Sequence, residues 1–362
     1  MQRALSLARK GTALASPNPL VGCVLVREGQ IVGEGFHQYE WRDHAEIVAI
    51  KSAGEKSQGA TMYVTLEPCN HSGRTGPCTQ AIINGGIQRV VATIADPNAK
   101  VAGRGFERLR DAGVEVFTGL MEEEARRLNE PFAKWIRNKI PFVTLKSALT
   151  LDGQLALPQS GKRKSSTWIT SEESRVEVHR MRRASDALLT GIGTVLVDDP
   201  LLTDRSGLPR RRRLLRVILD SKLRLSPRLR IVKTADDDLV LFTGANLKSD
   251  KARALQKSGV EVVNAKMRRG RVDLTDVLKQ LGKREILSVL LEAGSALNGA
   301  ALAADIVDRM FLFYAPKIAG SVDVPFAKAV KLTHAGLRNL TIRQFGPDFA
   351  VEGMLHDVYG NH

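Results

Sequence analysis

Three scarcities in the sequence narrow what this chain can be. No stretch approaches the roughly 20 apolar residues that a membrane-spanning helix needs, so no membrane partner is expected. Cysteine occurs only three times in 362 residues, too few and too odd a number for a disulfide framework. Aromatic residues make up 5% of the chain, and stacking platforms for single-stranded nucleic acid are not evident. The start, MQRALSLARKG, lacks the long apolar centre and small-residue cleavage site of a signal peptide. It spaces Ala4, Leu5 and Ala8 as an amphipathic helix does. The cytoplasm is the expected location.

Acidic residues are outnumbered by basic ones, 39 to 54, leaving a formal charge of +15. Such an excess suits nucleic acid or phosphate-bearing small molecules. The basic runs Arg210–Arg213 and GKRK (161–164) carry no interleaved aromatics, and both read as solvated loops. A phosphorylated small molecule is therefore the expected partner, rather than nucleic acid.

What is present is ordinary globular material, 43% hydrophobic and 26% charged. At 362 residues the chain outgrows a single core, which stops enlarging at roughly 250–300 residues. Strand-like and helix-like patterns alternate in two blocks, predicting α/β domains at 1–142 and 143–362, with a largely parallel sheet in the first. Pro141, in RNKIPFVTLK, breaks the preceding helical pattern just before β-branched residues begin a new strand. In the second block Thr170 and Glu173 fit a capping box at a helix start. That block closes on strands of antiparallel character. Cys23, inside VGCVLV, reads as a buried small hydrophobe.

The chemistry is concentrated in His44-Ala45-Glu46, Glu67-Pro68-Cys69 and Pro77-Cys78. One imidazole and two thiolates suit zinc, and three protein ligands leave a fourth position for water. A bound zinc lowers the pKa of that water toward neutrality. Glu46, two residues from His44, is placed to carry protons from water to a leaving amine. The pattern is that of zinc deaminases of bases, whose glutamate is not a ligand. A closed structural zinc site with His71 as fourth ligand is the competing reading. Eight residues, NHSGRTGP, separate the cysteines, and this loop carries His71 and Arg74, groups suited to a phosphorylated or polar substrate. An exposed polar turn is the plainer reading of the loop.

The segments SPNPLVGCVLV, GEGFH, HAE, YVTLEPCNHSGRTGPC, DPNAKVAGRG and LNEPF together resemble the bifunctional deaminase–reductases of riboflavin biosynthesis. So, further on, do VTLKSALTLDG, TWITS, LLTGIGTVLVDDPLLT, RVILDS, LLEAGSALNGA and YAPKIAG. The resemblance implies a cytidine-deaminase-like N-terminal domain followed by a dihydrofolate-reductase-like C-terminal domain. The first would deaminate 2,5-diamino-6-(phosphoribosylamino)pyrimidinone with zinc, and the second would reduce the ribosyl arm to ribityl with NADPH. Carried over by position, Asn18, His71 and Arg74 would hold the first substrate. Cofactor positions fall on Ala148, Trp168, Thr194, Asp198 and Gly294, Ser295, Ala296, Leu297, Asn298, Gly299 and Ala300, with Ser221 a candidate reader of the 2′-phosphate. Reductase substrate positions fall on Ser166, Arg182, Leu202, Arg205 and Glu292, with Lys146 paired to Glu292. Relatives imply a homo-oligomer.

Gly294-Ser295, between a buried-looking strand and a helix, can expose N–H groups to a pyrophosphate. The pattern GxGT at 191–194 is weak alone, and a tight turn explains it equally. Asn70 and Gly76 depart from the family's usual cysteine loop, and GKRKSS (161–166) lengthens the turn before TWITS. Two other readings stay open: a deaminase of nucleic-acid bases with an accessory nucleotide-binding domain, and a non-catalytic second domain.

Overall fold

The computed structural model describes residues 1–71, 76–99, 101–157, 168–320, 323–328 and 336–360. The chain forms two compact units. Met1–Lys139, Pro209–Arg212 and Val358–His362 make the first; Ile140–Leu208 and Arg213–Asp357 make the second.

The first unit is a sheet of five strands in the order β2-β1-β3-β4-β5. These are β1 (Gly22–Arg27), β2 (Gln30–Phe36), β3 (Thr61–Val64), β4 (Arg89–Ala92) and β5 (Glu115–Thr118). Helices α1 (Gln2–Lys10), α2 (Ala45–Ala53), α3 (Cys78–Asn84), α4 (Arg104–Asp111) and α5 (Glu122–Asn138) accompany it. The sheet is mixed, which corrects the expectation of a largely parallel one. β1 runs antiparallel to both β2 and β3, whereas β3, β4 and β5 are parallel. The cause lies in the turn after β1: Glu28 and Gly29 both take positive φ, 52° and 76°, the backbone of a two-residue hairpin.

The glycines of GEGFH set how near helix α2 comes to this sheet. A Cβ on Gly33 would lie 2.3 Å from the Ala49 carbonyl oxygen, and one on Gly35 would lie 2.3 Å from that of Ala45. Only glycine permits that approach, and it fixes the first turn of α2 against β2. Cys23 on β1 is fully buried in the same core, together with Ala45, Ala49, Met62 and Val90.

The second unit is a nine-stranded sheet, β10-β9-β8-β7-β13-β6-β14-β16-β15. Its strands are β6 (Phe142–Thr150), β7 (Ala187–Gly191), β8 (Leu215–Leu219), β9 (Leu239–Thr243), β10 (Glu261–Asn264), β13 (Ser288–Glu292), β14 (Arg309–Ala315), β15 (Arg338–Phe345) and β16 (Asp348–Met354). A small ribbon, β11 (Met267–Arg268) with β12 (Arg271–Val272), stands apart. The helices are α6 (Glu172–Ala184), α7 (Ile192–Asp198), α8 (Arg230–Lys233), α9 (Asp250–Lys257), α10 (Leu274–Lys283) and α11 (Ser295–Ala303). Pairing is parallel from β10 to β14 and antiparallel at β16 and β15. Successive residues feed opposite faces: Leu189, Val217 and Leu291 enter one core, Leu188, Ile218 and Leu241 the other. Burial on both faces is what a parallel sheet covered by helices requires.

Helix α6 is capped by Ser171, not Thr170. The extended Ser171 turns its Oγ to accept the Ser174 N–H at 3.3 Å, satisfying a donor that the first helical turn leaves open. Among the described residues no helix is long and apolar enough to cross a membrane.

Candidate functional site

In the first unit a cavity of about 280 Å³ opens beyond the C-terminal ends of β3 and β4. His44 precedes α2 as its N-cap residue, Cys69 lies in the loop after β3, and Cys78 opens α3. The His44 Nδ1 atom sits 3.2 Å from Cys78 Sγ and 3.5 Å from Cys69 Sγ. All three ligand atoms lie within 4.8 Å of one another. Zinc bonds of about 2.0–2.3 Å at tetrahedral angles require donors of this type at this spacing, so the trio fits the metal.

Protons are unevenly held within the trio. Hydrogen bonding from Cys78 outweighs burial and, with that from His44, holds the Cys69 thiol down at about 4. The bond to Cys69 outweighs burial and lifts His44 to about 9. Cys78 is pushed far up by the same Cys69 bond and by burial. A metal entering the site displaces such protons.

Glu46 is 3% exposed and lines the cavity with His44 and Cys69. Burial raises its pKa, and the His44 charge partly offsets this. Its place in the first turn of α2 also favours a carboxylate, through the partial positive charge of the helix start.

Asn18 and His71 line the same cavity; Arg74 lies outside the described residues. Asn129 on α5 holds the Asn18 region, accepting from Leu20 N at 2.8 Å and donating to Leu20 O at 3.0 Å. This explains the LNEPF segment, whose helix also contributes Phe132 and Ile136 to the wall. Glu67 accepts the backbone N–H groups of Asp96, Gly103 and Gly105 at 2.8–3.0 Å, which fixes the approach to Cys69. A Cβ on Gly105 would stand 2.1 Å from the Pro68 carbonyl oxygen. Asp96, also in the wall, is raised to about 6, first by burial.

Sequence reasoning missed His37. Its Nε2 lies 2.9 Å from Asn18 Nδ2 and its Nδ1 lies 3.0 Å from the Asp43 carbonyl oxygen. The signal was present, since GEGFH places a histidine at the end of β2, seven residues before His44.

In the second unit, adjacent parallel strands put Lys146 on β6 directly opposite Glu292 on β13. Arg182 from α6 grips Glu292 through two bonds of 2.7 and 2.9 Å, and Lys146 Nζ stands 3.8 Å from the same carboxylate. Burial alone would raise Glu292, but the Arg182 and Lys146 charges outweigh it and hold the carboxyl at about 2. Burial lowers Lys146, with Glu292 opposing. Arg182 also donates to Thr203 O at 3.1 Å, beside Leu202, which is buried with φ 55°. Arg205 is exposed. His179, one turn before Arg182, was not foreseen; its buried Nδ1 has no hydrogen-bond partner among the described residues.

Thr194 and Gly294 are brought together: a Cβ on Gly294 would lie 3.9 Å from Thr194 Oγ1, and one on Gly191 would lie 3.3 Å from Leu297. Gly294 caps α11, and Ser295 Oγ is buried without a partner among the described residues. A helix start with an orphaned hydroxyl, an exposed Gly294 at its cap and Gly191 packed closely on Leu297 fits a pyrophosphate-bearing cofactor. Ala296 is exposed, and Leu297 and Ala300 are half-buried. Asn298 and Gly299 face inward, the Asn298 amide donating to Ser147 Oγ and Phe326 O. Ala148 lies on β6, and Asp198, raised by burial, ends α7. Trp168 is exposed, with Arg175 5.1 Å from its ring centroid. Ser221 Oγ accepts Val272 N at 3.1 Å. Ser166 lies outside the described residues.

Residues 1–94 match the family model described as the cytidine and deoxycytidylate deaminase zinc-binding region, and residues 141–351 match the RibD C-terminal domain. The riboflavin biosynthesis protein RibD of Aquifex aeolicus is 45% identical over 320 residues, covering 88% of this chain and 87% of that protein. The chain belongs to the RibD family. It joins a deaminase to a reductase in riboflavin biosynthesis. Its deaminase half is of the zinc-binding kind, and its reductase half is of the NADPH-dependent RibD type.

Two solved structures agree. RibD of Acinetobacter baumannii has a TM-score of 0.85 at 35% identity, covering 98% of each chain. A Thermotoga maritima protein described as a diaminohydroxyphosphoribosylaminopyrimidine deaminase/5-amino-6-(5-phosphoribosylamino)uracil reductase has a TM-score of 0.84 at 38% identity. It covers 98% of this chain and 97% of its own. RibD likeness along the whole chain disfavours the reading as a deaminase of nucleic-acid bases.

Proposed function

We propose that the first domain, 1–142, deaminates 2,5-diamino-6-(phosphoribosylamino)pyrimidinone, and that the second, 143–362, reduces the ribosyl arm of the product to ribityl with NADPH. The observation that carries this reading is the buried Glu46 carboxyl in one cavity with His44, Cys69 and Asn18. A structural zinc site has no use for that carboxyl.

His44, Cys69 and Cys78 would hold zinc, which when bound lowers the pKa of a water at its open position. Glu46 takes a proton from water and returns it to the departing amine, as the ring C–N bond breaks and a C–O bond replaces it. Asn18 and His71 hold the ring and its arm, and Arg74 is a candidate partner for the phosphate.

In the second domain NADPH supplies the hydride. Thr194, Asp198 and the start of α11 from Gly294 support the cofactor, with Ala148, Trp168 and Ser221 alongside. Arg182, Lys146 and Glu292 form a fixed polar wall for the sugar, and Ser166, Leu202 and Arg205 complete the substrate side. With the Arg182 fork engaged by Glu292, the exposed Arg205 is the cation that suits a phosphorylated arm. Supporting this reading is the intact charge trio, which a decayed binding module has no reason to keep.

The protein acts in the cytoplasm as a homo-oligomer on small molecules, without nucleic acid or membrane. Mass spectrometry of the product tests the chemistry. Replacement of an amino group by oxygen, followed by gain of two hydrogens only when NADPH is added, is expected. An unchanged substrate with the zinc-loaded protein would refute it.

A further inference from the structure

Within the basic run, Arg210, Arg211 and Arg212 are half-buried rather than solvated, and only Arg213 is exposed. Pro209–Arg212 belongs to the first unit, although it lies between α7 and β8 in sequence. Arg211 N donates to Ala13 O at 2.9 Å, its Nη1 to Ser16 O at 2.9 Å, and its Nε to Glu40 Oε1 at 2.9 Å. Its guanidinium stacks 3.6 Å from the centroid of the Tyr39 ring. Arg212 adds a bond to Ser16 Oγ at 3.1 Å.

One guanidinium thus stitches two irregular segments. The first, residues 13–18, ends in Asn18; the second is the short turn Tyr39–Trp41. Asn18 and Tyr39 both line the deaminase cavity. Neither segment lies in an α-helix or a strand; one backbone bond, Tyr39 N to Leu14 O at 3.1 Å, joins them, and the Arg211 side chain adds a second tie between them. The Arg211 side chain is only 18% exposed, and its bond to Ser16 O is part-buried, whereas the Glu40 carboxylate it also meets lies at the surface. Arginine's planar fork bonds two acceptors and stacks on a ring at once, which lysine cannot reproduce.

We infer that Arg211 is a positioning residue for the deaminase: it sets the Asn18 and Tyr39 segments of the cavity wall and acts through them on substrate binding. The inference rests on the deaminase reading of the first unit. Arg211 touches neither Glu46 nor the metal-ligating trio, so its loss should weaken substrate binding while the chemical step and zinc content stay intact.

The test uses the full-length, zinc-loaded protein and measures ammonia release from the diaminopyrimidinone substrate. Arg211→Ala is expected to raise KM about tenfold, as loss of a stacked, hydrogen-bonded cation does, with kcat and bound zinc close to wild type. Arg211→Met keeps the aliphatic stem over Tyr39, guards against a folding defect, and should raise KM likewise. Tyr39→Leu combined with Arg211→Ala should be no worse than the larger single effect, because both act through one wall. Arg213→Ala, which removes an ion pair with Asp236 in the second unit, should leave KM unchanged. A fall in kcat at constant KM in the Arg211 variants would mark loss of active enzyme only and overturn the positioning role. So would an unchanged KM in both. A wild-type protein that releases no ammonia would overturn the deaminase reading and this inference with it.

Discussion

The ring of His37 dictates which end of the Asn18 amide faces it. The Asp43 carbonyl can only accept, so His37 Nδ1 carries the proton, and Nε2 at 2.9 Å accepts from Asn18 Nδ2. The Asn18 carbonyl oxygen is thereby turned away from His37, where it can accept from an amino group of the substrate. Loss of a hydrogen bond of this kind corresponds to about a three- to tenfold change in affinity. His37→Ala is expected to raise the deaminase KM by that factor with zinc still bound; steady-state ammonia release checks it.

Glu46→Gln preserves the shape of the cavity wall and removes the carboxylate proposed to carry protons. Deamination should fall by roughly 10²–10⁴-fold, the range for loss of a general acid–base group, with zinc content unchanged by atomic absorption. NADPH-dependent reduction of pre-deaminated substrate should persist. Retained deamination would take Glu46 out of the mechanism.

The grouping of His44, Cys69 and Cys78, with Glu46 in the same cavity, was legible in the sequence because these residues cluster in short motifs. His44 and Glu46 share one helix start, and Cys69 and Cys78 share one loop. The five-strand mixed sheet was less legible, because the pattern of β1 does not say whether its neighbours are parallel. The decisive cue was two positive φ angles at Glu28 and Gly29, and glutamate is an unusual residue for that conformation. The α6 cap fell one residue late because Thr170 and Ser171 both suit an N-cap, and only tertiary placement separates them. Ser171 N is bonded to Asp348, far along the chain, at 2.7 Å. The ties of Arg211 to Ser16 and Glu40 span 195 and 171 residues, beyond any local pattern.

Glu292 is held between two cations, so removing its charge leaves both without their shared anion. Glu292→Gln should destabilise the second unit by about 3–5 kcal/mol, the usual result of breaking a buried pair from one side, and should abolish NADPH oxidation. Thermal unfolding and a stopped NADPH assay measure the two effects. Unchanged stability would show that Arg182 and Lys146 find other partners.

His356 links stability to pH in the second unit. Its Nε2 lies 3.0 Å from Asp305 and its Nδ1 3.3 Å from Asp308. The Asp308 hydrogen bond outweighs burial and, with both carboxylate charges, raises the histidine pKa. A raised folded-state pKa contributes stability that is full below about 6.5, the unfolded value, and is lost as pH climbs through the raised value. The denaturation midpoint should therefore drop across that window, and His356→Ala should remove this part of the slope. An identical pH profile in the variant would exclude His356 as its source.

The most direct measurement of the two-step reading follows ammonia release and NADPH consumption separately in one reaction with the diaminopyrimidinone substrate. Both should occur, and a zinc chelator should stop ammonia release while leaving reduction of pre-deaminated substrate intact. Ammonia without NADPH consumption would contradict the reductase assignment, and neither signal from zinc-loaded protein would contradict both.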